Sequence, residues 1–148
     1  MERPDIAFKD WLYANWNTAT AGILKANMTF QNTDWSDAQI IRGKPVIVVK
    51  LAGFRRMQEA EPSLHKFTLL VEVGIHSPSV QETETKRALQ WSIVEYLKGL
   101  LDDFVKDSIT GWHWALISSM ANLDAVELQP EAVISNLSVE AVAEWTVA

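Results

Sequence analysis

The chain has 148 residues, 48% of them hydrophobic, with a formal net charge of −6 and no cysteine. This length and apolar content predict a single domain, residues 1–148, with one full core. Without cysteine, disulfides, thiolate metal sites and thiol nucleophiles are excluded. The acidic balance argues against tight binding of duplex DNA, which needs clustered lysine and arginine. No apolar run reaches the roughly 18 residues of a membrane-spanning helix, so we expect a soluble intracellular protein without a membrane partner.

The first half of the chain predicts one helix followed by strands. Apolar residues recur at helical spacing from Pro4, a favourable first helical residue, to about Asn17. A short strand is expected near residues 28–31. The continuous β-branched run at 45–51 predicts a strand covered on both faces, and the alternating run at 65–75 predicts its antiparallel partner.

A polar segment, residues 53–62, connects these two strands, and we expect it to be a loop. It carries Arg55 and Arg56, the only compact pair of basic residues in a predicted loop, followed by Met57. Binding residues usually lie on loops that a rigid scaffold holds in place. We therefore predict that these three residues contact a partner, with the arginines pairing to carboxylates. A solvated loop is the alternative interpretation.

The second half predicts a long helix and two more strands. Residues 81–106 form an amphipathic pattern that suits packing on a sheet, and Ser79 with Glu82 matches a capping box. Residues 112–120 alternate, residues 124–131 are expected to form a connection, and residues 133–147 alternate again. The apolar stripe of the helix consists of Leu89, Ile93, Leu97, Leu100, Leu101 and Phe104.

This order of elements predicts an α+β fold. We expect a mixed, largely antiparallel sheet, with the long helix packed on one face and an additional N-terminal helix. No internal repeat divides the chain.

Seven tryptophans are spread along the chain, more than one small core can fully bury. Some of them are therefore expected at protein–protein contacts, where tryptophan is enriched. Trp112 and Trp114 alternate within a predicted strand, so we expect them to share one face, with His113 on the other. Packing in the core or at an interface is favoured over stacking on a base or sugar.

No short motif for catalysis is present. The three histidines are scattered, and the adjacent carboxylates Asp102 and Asp103 would point about 100° apart on a helix. Phosphate-binding glycine loops and the serine-hydrolase pentapeptide are absent. We therefore expect no catalytic residue, no metal site, no cofactor and no enzymatic activity.

Several segments occur in an order that is similar to one known family. A helix with two tryptophans is followed by Gly-Lys-Pro-Val-Ile-Val-Val at 43–49, a paired strand at 67–75, a helix beginning Gln-Glu-Thr-Glu-Thr-Lys-Arg, and a final strand with Trp145. This layout resembles the tail-terminator, or tail-completion, proteins of long-tailed bacterial and archaeal viruses. The likeness covers most of the chain through element order and length, without a diagnostic motif, and residues 17–37 have no counterpart in it.

The resemblance implies a virion protein at the head-proximal end of the tail, assembled in the host cytoplasm. Such proteins form a ring, usually of six subunits, that ends polymerisation of the tail tube and joins the tail to the head. The implied partners are further copies of the chain, the tail-tube protein and the head-connector or neck protein. Genomic DNA passes through the lumen without specific binding, and the family has no catalytic residues.

Two alternatives to the tail terminator remain open at this point. One is a head-completion or neck protein of the same virion, which has a similar size and charge. The other is a small α+β ligand-binding domain or enzyme, which would present a deep pocket with convergent polar groups.

Overall fold

The computed structural model describes residues 1–34, 44–57, 63–76, 80–121, 126–128 and 131–145. They form a mixed sheet with two α-helices packed on one face, so the predicted α+β class is confirmed. The helices are α1 (Pro4–Asn15) and α2 (Val80–Asp102), with a short 3₁₀ helix at Lys25–Asn27. The strands are β1 (Thr29–Gln31), β2 (Val46–Arg56), β3 (Leu64–His76), β4 (Trp112–Ala121), β5 (Val126–Leu128) and β6 (Glu131–Glu144).

The strands are arranged in the order β1-β2-β3-β6-β4, and β5 also pairs with β6. The β1–β2 pair is parallel, whereas all the other pairs are antiparallel. β3 and β6 form the centre of the sheet and pair from Leu64 opposite Glu144 to His76 opposite Ala132. Because β3 occupies one edge of β6 along its whole length, β4 and β5 share the other edge.

The core lies between the helices and the sheet face that they cover, which we call the helix face. Alternate residues of the central strands point into it, and the alternation predicted for both strands matches their burial. α2 packs on this face through the predicted apolar stripe, which includes the fully buried Ile93 and Leu97. The buried apolar residues that the central strands place on this face are Phe67, Leu69, Val71, Val73, Ile75, Val133, Leu137, Val139, Ala141 and Ala143.

Trp16 connects the N-terminal helix with the rest of the core through burial and a hydrogen bond. It follows α1 directly and is fully buried, and its indole Nε1–H donates to the carbonyl oxygen of Ile23 at 2.8 Å. The backbone N–H of Asn17 donates to the Tyr96 hydroxyl of α2 at 2.9 Å. These two bonds fix the polar segment that follows α1. Asn17, at its start, is bonded to Tyr96 of α2, and Ile23, at its end, is bonded to Trp16.

Three predicted boundaries were wrong. β2 does not end at Leu51 but continues to Arg56, still paired with β3 after a register shift between Leu51 and Gly53. α2 ends at Asp102 rather than at residue 106, because the chain turns where the Phe104 N–H bonds the Leu101 carbonyl. The expected connection at 124–131 contains β5, which pairs with the start of β6.

Other predictions lie partly outside the described residues. Ser79 of the expected capping box belongs to this group, as do the end of the final strand beyond Trp145 and the connection between β2 and β3 at 58–62. Among the described residues, no helix is long and apolar enough to cross a membrane.

Candidate functional site

One candidate contact surface is the outer edge of β2. β1 pairs with β2 only over Val46–Val48, and the Asn32 side-chain amide extends this cover by donating to the Val49 carbonyl at 3.0 Å. From Lys50 to Arg56, β2 pairs with β3 on one side, and within the described part of the chain no strand lies on its other side. Alternate backbone groups of this segment are therefore available to a further strand.

The predicted contact residues Arg55, Arg56 and Met57 lie at the end of this edge. The expectation that they form a loop is wrong for the two arginines, because Arg55 pairs with Lys66 and Arg56 with His65 across the hairpin. Both arginines are exposed, and Met57 is half-buried, with its N–H bonded to the Leu64 carbonyl at 3.2 Å. The side chains are thus displayed by a strand rather than by an irregular segment.

Charge is unbalanced at Arg55. Its cross-strand neighbour Lys66 is also a cation, and like charges directly opposite one another destabilise a strand pair. Lys66 is paired with Glu140, whose Oε2 lies 3.1 Å from Nζ. Neither Arg55 nor Arg56 forms an ion pair with any residue that the structure describes. Both guanidinium groups therefore remain available to carboxylates of a partner.

The opposite side of the sheet ends in β4, whose outer edge also lacks a strand partner in the described ranges. Natural edge strands commonly carry charged residues or proline that prevent uncontrolled pairing. Residues 112–121 contain neither Lys, Arg, Asp, Glu nor Pro, and Leu116 is 44% exposed. Two register shifts against β6 give this edge a local twist. β4 is thus suited to pairing with a strand of complementary shape.

The two tryptophans predicted at this surface are separated by the first of these shifts. Trp112 pairs with Ala143 and Trp114 with Val142, so the two indoles lie on opposite faces, and the prediction of a shared face is wrong. Trp112 is 2% exposed and stacks on Phe8 with ring centroids 6.3 Å apart, so it belongs to the core. Trp114 is half-buried on the other face, where Lys66 Nζ lies 6.0 Å from its ring centroid.

A turn brings a carboxylate to the start of the β4 outer edge. The Gly111 carbonyl accepts from the Glu144 N–H of β6 at 2.8 Å, so the next carbonyl, that of Trp112, points away from β6. That carbonyl accepts from the Asp107 N–H at 2.8 Å, and Asp107 Oδ1 accepts from the Gly111 N–H at 3.1 Å. Asp107 is exposed and has a left-handed backbone with φ of 65°.

Asp107 is not among the site residues predicted from the sequence. The available signal was an aspartate four residues before a glycine, in Asp-Ser-Ile-Thr-Gly, which is turn chemistry. Asp103 of the same turn region is also exposed, and its side chain forms no ion pair within the described residues. The start of the β4 edge therefore carries the Asp107 carboxylate. The segment between α2 and β4 also contains the exposed Asp103 and the cation Lys106.

The sheet face away from the helices, which we call the open face, is polar and mixed in charge. Along β2, β3 and β6, cross-strand register places six charged residues on it, three of each sign. These six residues therefore contribute no net charge to the face. The cations are Lys50, Arg55 and Lys66, and the anions are Glu72, Glu140 and Glu144.

An aromatic cluster lies at the hairpin end of the sheet, on the helix face. Phe54 is 55% exposed, and its ring centroid is 5.0 Å from that of Trp145, which packs in turn on His65 and Phe67. Phe54, Phe67 and Trp145, together with Leu51 and the first four residues of the chain, line a cavity of about 400 Å³. Its walls offer mainly apolar contact. In the part of the chain that the structure describes, no three His, Asp or Glu side chains converge to hold a metal ion.

Neither a protein-family model nor a curated protein matches this chain. Its functional assignment therefore depends on the geometry of the site. Within the described residues, that geometry consists of two edges without a strand partner at opposite sides of one sheet. One edge ends in two arginines, and the other begins beside Asp107.

Proposed function

We propose that this protein is a viral tail terminator, a ring of identical subunits that caps the tail tube and joins the tail to the head. The observation that supports this function most is that the outer edges of β2 and β4, on opposite sides of the sheet, lack a strand partner in the described part of the chain. Two different surfaces on one subunit make head-to-tail contacts, and such contacts close into a ring when their rotation closes. The α+β fold and the element order agree with the resemblance to this family.

In this proposal the function is mechanical rather than chemical. A tail tube grows because each ring exposes the surface that the next ring needs. A terminator matches that surface on one side only, so its binding ends polymerisation and leaves a different surface for the head connector. No catalytic group, metal or cofactor is required for this action, and we propose that the protein is not an enzyme.

The charge distribution suits a conduit for DNA. A wall that attracts phosphate would slow the passage of the genome, because each cation that neutralises a phosphate adds affinity. The charged residues that β2, β3 and β6 place on the open face are three cations and three anions, and the whole chain has a net charge of −6. A lumen lined by such a surface would not hold DNA.

Contacts with the tube and the connector need surfaces other than the two sheet edges. On the helical side of the molecule, Trp91 of α2 is 48% exposed and Tyr13 of α1 is 52% exposed. Large exposed aromatic residues are enriched among the residues that dominate binding energy. We propose that they contribute to these axial contacts.

The test combines mass measurement with tube assembly. Native mass spectrometry of the purified protein should give one assembly whose mass is a whole-number multiple of the 16.7 kDa subunit, with or without tail-tube subunits present. Added to polymerising tube protein, the rings should shorten the tubes and appear at one end by electron microscopy. Trp91→Ala should keep the ring mass and weaken capping.

Two results would redirect the assignment. Protein that binds the isolated head connector but leaves tube length unchanged would be a neck protein, the alternative in the same virion. A monomer that neither assembles nor affects tubes would overturn the proposal. Dialysis against a chelator should leave ring mass and capping unaltered, because no metal is part of the proposed action.

A further inference from the structure

We infer that neighbouring subunits join by pairing the β2 edge of one copy with the β4 edge of a second copy, an inference that rests on the ring proposed above. The pairing is antiparallel, and the sheet then continues from subunit to subunit. The occupant of each edge is therefore another copy of this chain. Three independent features of the structure point to this contact: strand direction, position along the strands and charge.

The strand directions fit without any reversal. β2 is antiparallel to β3, β3 to β6, and β6 to β4, so β2 and β4 run in opposite directions within one subunit. Rotation about an axis parallel to the strands preserves these directions. The β4 strand of one copy therefore meets the β2 strand of the next in the antiparallel orientation, which is the more stable pairing per residue.

The positions of the charged groups also agree. The end of β2 and the start of β4 lie at the same end of the sheet, because Leu64 of the β2–β3 hairpin and Trp112 pair with the neighbouring residues Glu144 and Ala143 of β6. The two edges are separated by three strand spacings, about 14 Å in total. Rotation about the strand direction keeps this height, so the arginine end of one copy meets the aspartate end of the next.

The charges at this meeting point are complementary. Arg55 and Arg56 have no carboxylate partner among the described residues, whereas Asp107 is exposed where β4 begins and Asp103 is exposed in the segment that leads to it. Asp102 is already neutralised by Lys98, whose Nζ lies 2.7 Å from its Oδ2. Arginine–carboxylate pairs give both attraction and geometric specificity. Three charged residues that are close in sequence compete with this pairing: Lys106 immediately precedes Asp107, and Glu59 and Glu61 follow the arginines.

The edges also match in length and irregularity. The free part of β2 runs over residues 50–56, and β4 beyond its turn runs over residues 114–121. Each contains a register shift, at Leu51/Gly53 in β2 and at Ile117/Ser119 in β4. Bulges twist an edge and so restrict the strands that can pair with it.

Pairing of identical edges is the competing arrangement. Two β4 edges related by a two-fold axis would form a closed dimer, with the aspartate turns at opposite ends and the arginines unpaired. Such a dimer cannot extend into a ring through the same contact. The experiments below therefore separate the two arrangements by the size of the assembly and by its dependence on the arginines.

Charge reversal tests the proposed partners. Arg55→Glu with Arg56→Glu should lower the fraction of protein in rings by about tenfold or more at 0.15 M salt. Asp103→Lys with Asp107→Asn should do the same, since asparagine keeps the side-chain acceptor and tolerates the left-handed backbone of the turn. Combining all four substitutions should restore most of the rings. Such a restoration would not occur if the separate variants lost their rings through misfolding. Native mass spectrometry gives the ring fraction, and circular dichroism establishes that each variant is folded.

A matched control changes the same net charge elsewhere. Lys44→Glu with Lys86→Glu alters two lysines, one before β2 at the opposite end of the sheet and one on α2. The ring fraction should remain unchanged in this variant.

Cross-linking tests the edges themselves, and the cysteine-free chain gives no background. Ala52 of β2 and Leu116 of β4 are both exposed. A variant with Ala52→Cys and Leu116→Cys, treated with a short bismaleimide, should form a covalent ladder up to the ring size. Neither single variant should form more than traces of dimer.

The outcomes distinguish this contact from the proposed function. Rings that form normally with both charge reversals and give no ladder would overturn the β2–β4 contact and leave the terminator function standing. Efficient dimer formation by Leu116→Cys alone would favour the two-fold β4 arrangement and overturn the contact. Absence of any assembly in the unmodified protein, alone and with tube subunits, would overturn the function as well.

Discussion

Trp112 and Trp114 lie on opposite faces of β4, although only one residue separates them. The register shift at His113 places Trp112 opposite Ala143, on the helix face, and Trp114 opposite Val142, on the open face. A bulge inserts one residue into a strand and so reverses the side-chain alternation beyond it. The two indoles therefore have different roles, one in the core and one on the surface.

Removing each tryptophan should reveal this difference. Trp112→Ala should lower the free energy of unfolding by about 3–5 kcal/mol, because it empties a buried aromatic site. Trp114→Ala should cost about 1 kcal/mol or less, since its ring is half-exposed and lies outside the core cluster. Urea unfolding followed by circular dichroism measures both, and equal losses would contradict the assigned faces.

Leu97→Asp should unfold the domain. Leu97 is fully buried in the stripe of α2 that packs on the sheet, and an unpaired carboxylate at that position costs several kcal/mol. Lys98→Asp is the matched control. The Lys98 side chain is exposed, so this substitution should reduce stability only slightly. A native-like melting transition in Leu97→Asp would show that the stripe is not core.

Two glycines should respond in opposite ways to alanine. Gly99 lies within α2 with open space around the position of a Cβ, so Gly99→Ala should stabilise the protein by about 0.5–1 kcal/mol through helix propensity. Gly22 has φ of 89°, and a Cβ there would lie 3.2 Å from Leu89 Cδ1. Gly22→Ala should therefore destabilise it, by about 1 kcal/mol or more. Thermal unfolding of the two variants beside the parent gives both signs directly.

Alkaline pH should weaken the contact between Lys50 and Asp34. The hydrogen bond from Lys50 to the Asp34 carboxylate raises the pKa of the lysine above its ordinary value of 10.5, against the smaller opposing effect of burial. The stabilisation is complete below pH 10.5 and is lost as the pH rises through the folded-state pKa. Lys50→Gln should cost less than about 1 kcal/mol at neutral pH, as is usual for exposed pairs.

The cost of Lys50→Gln should shrink as the pH rises beyond 10.5. Lys44→Gln is the reference variant, because Lys44 is exposed and forms no ion pair among the described residues. Urea unfolding at matched pH values measures the difference between variant and parent. A difference that grows with pH would contradict the assigned direction.

The local and periodic features of this protein follow from its sequence by itself. The alternation of the two central strands, the apolar stripe of α2 and the β-branched run of β2 each repeat at the period of one kind of element. Burial enforces that period, because one face of each element must be apolar. The α+β class followed from the order of these elements.

The contact surfaces required the tertiary structure. The polar residues Arg55 and Arg56 were predicted to form a loop, yet they continue β2 because β3 supplies backbone partners from Gly53 to Arg56. Likewise, neither the bulge at His113 nor the Asp107 N–H bond to the Trp112 carbonyl follows from a period. Strand pairing joins residues that are distant in sequence, so which edges stay unpaired, and which charges stand beside them, depends on the assembled sheet rather than on any local pattern.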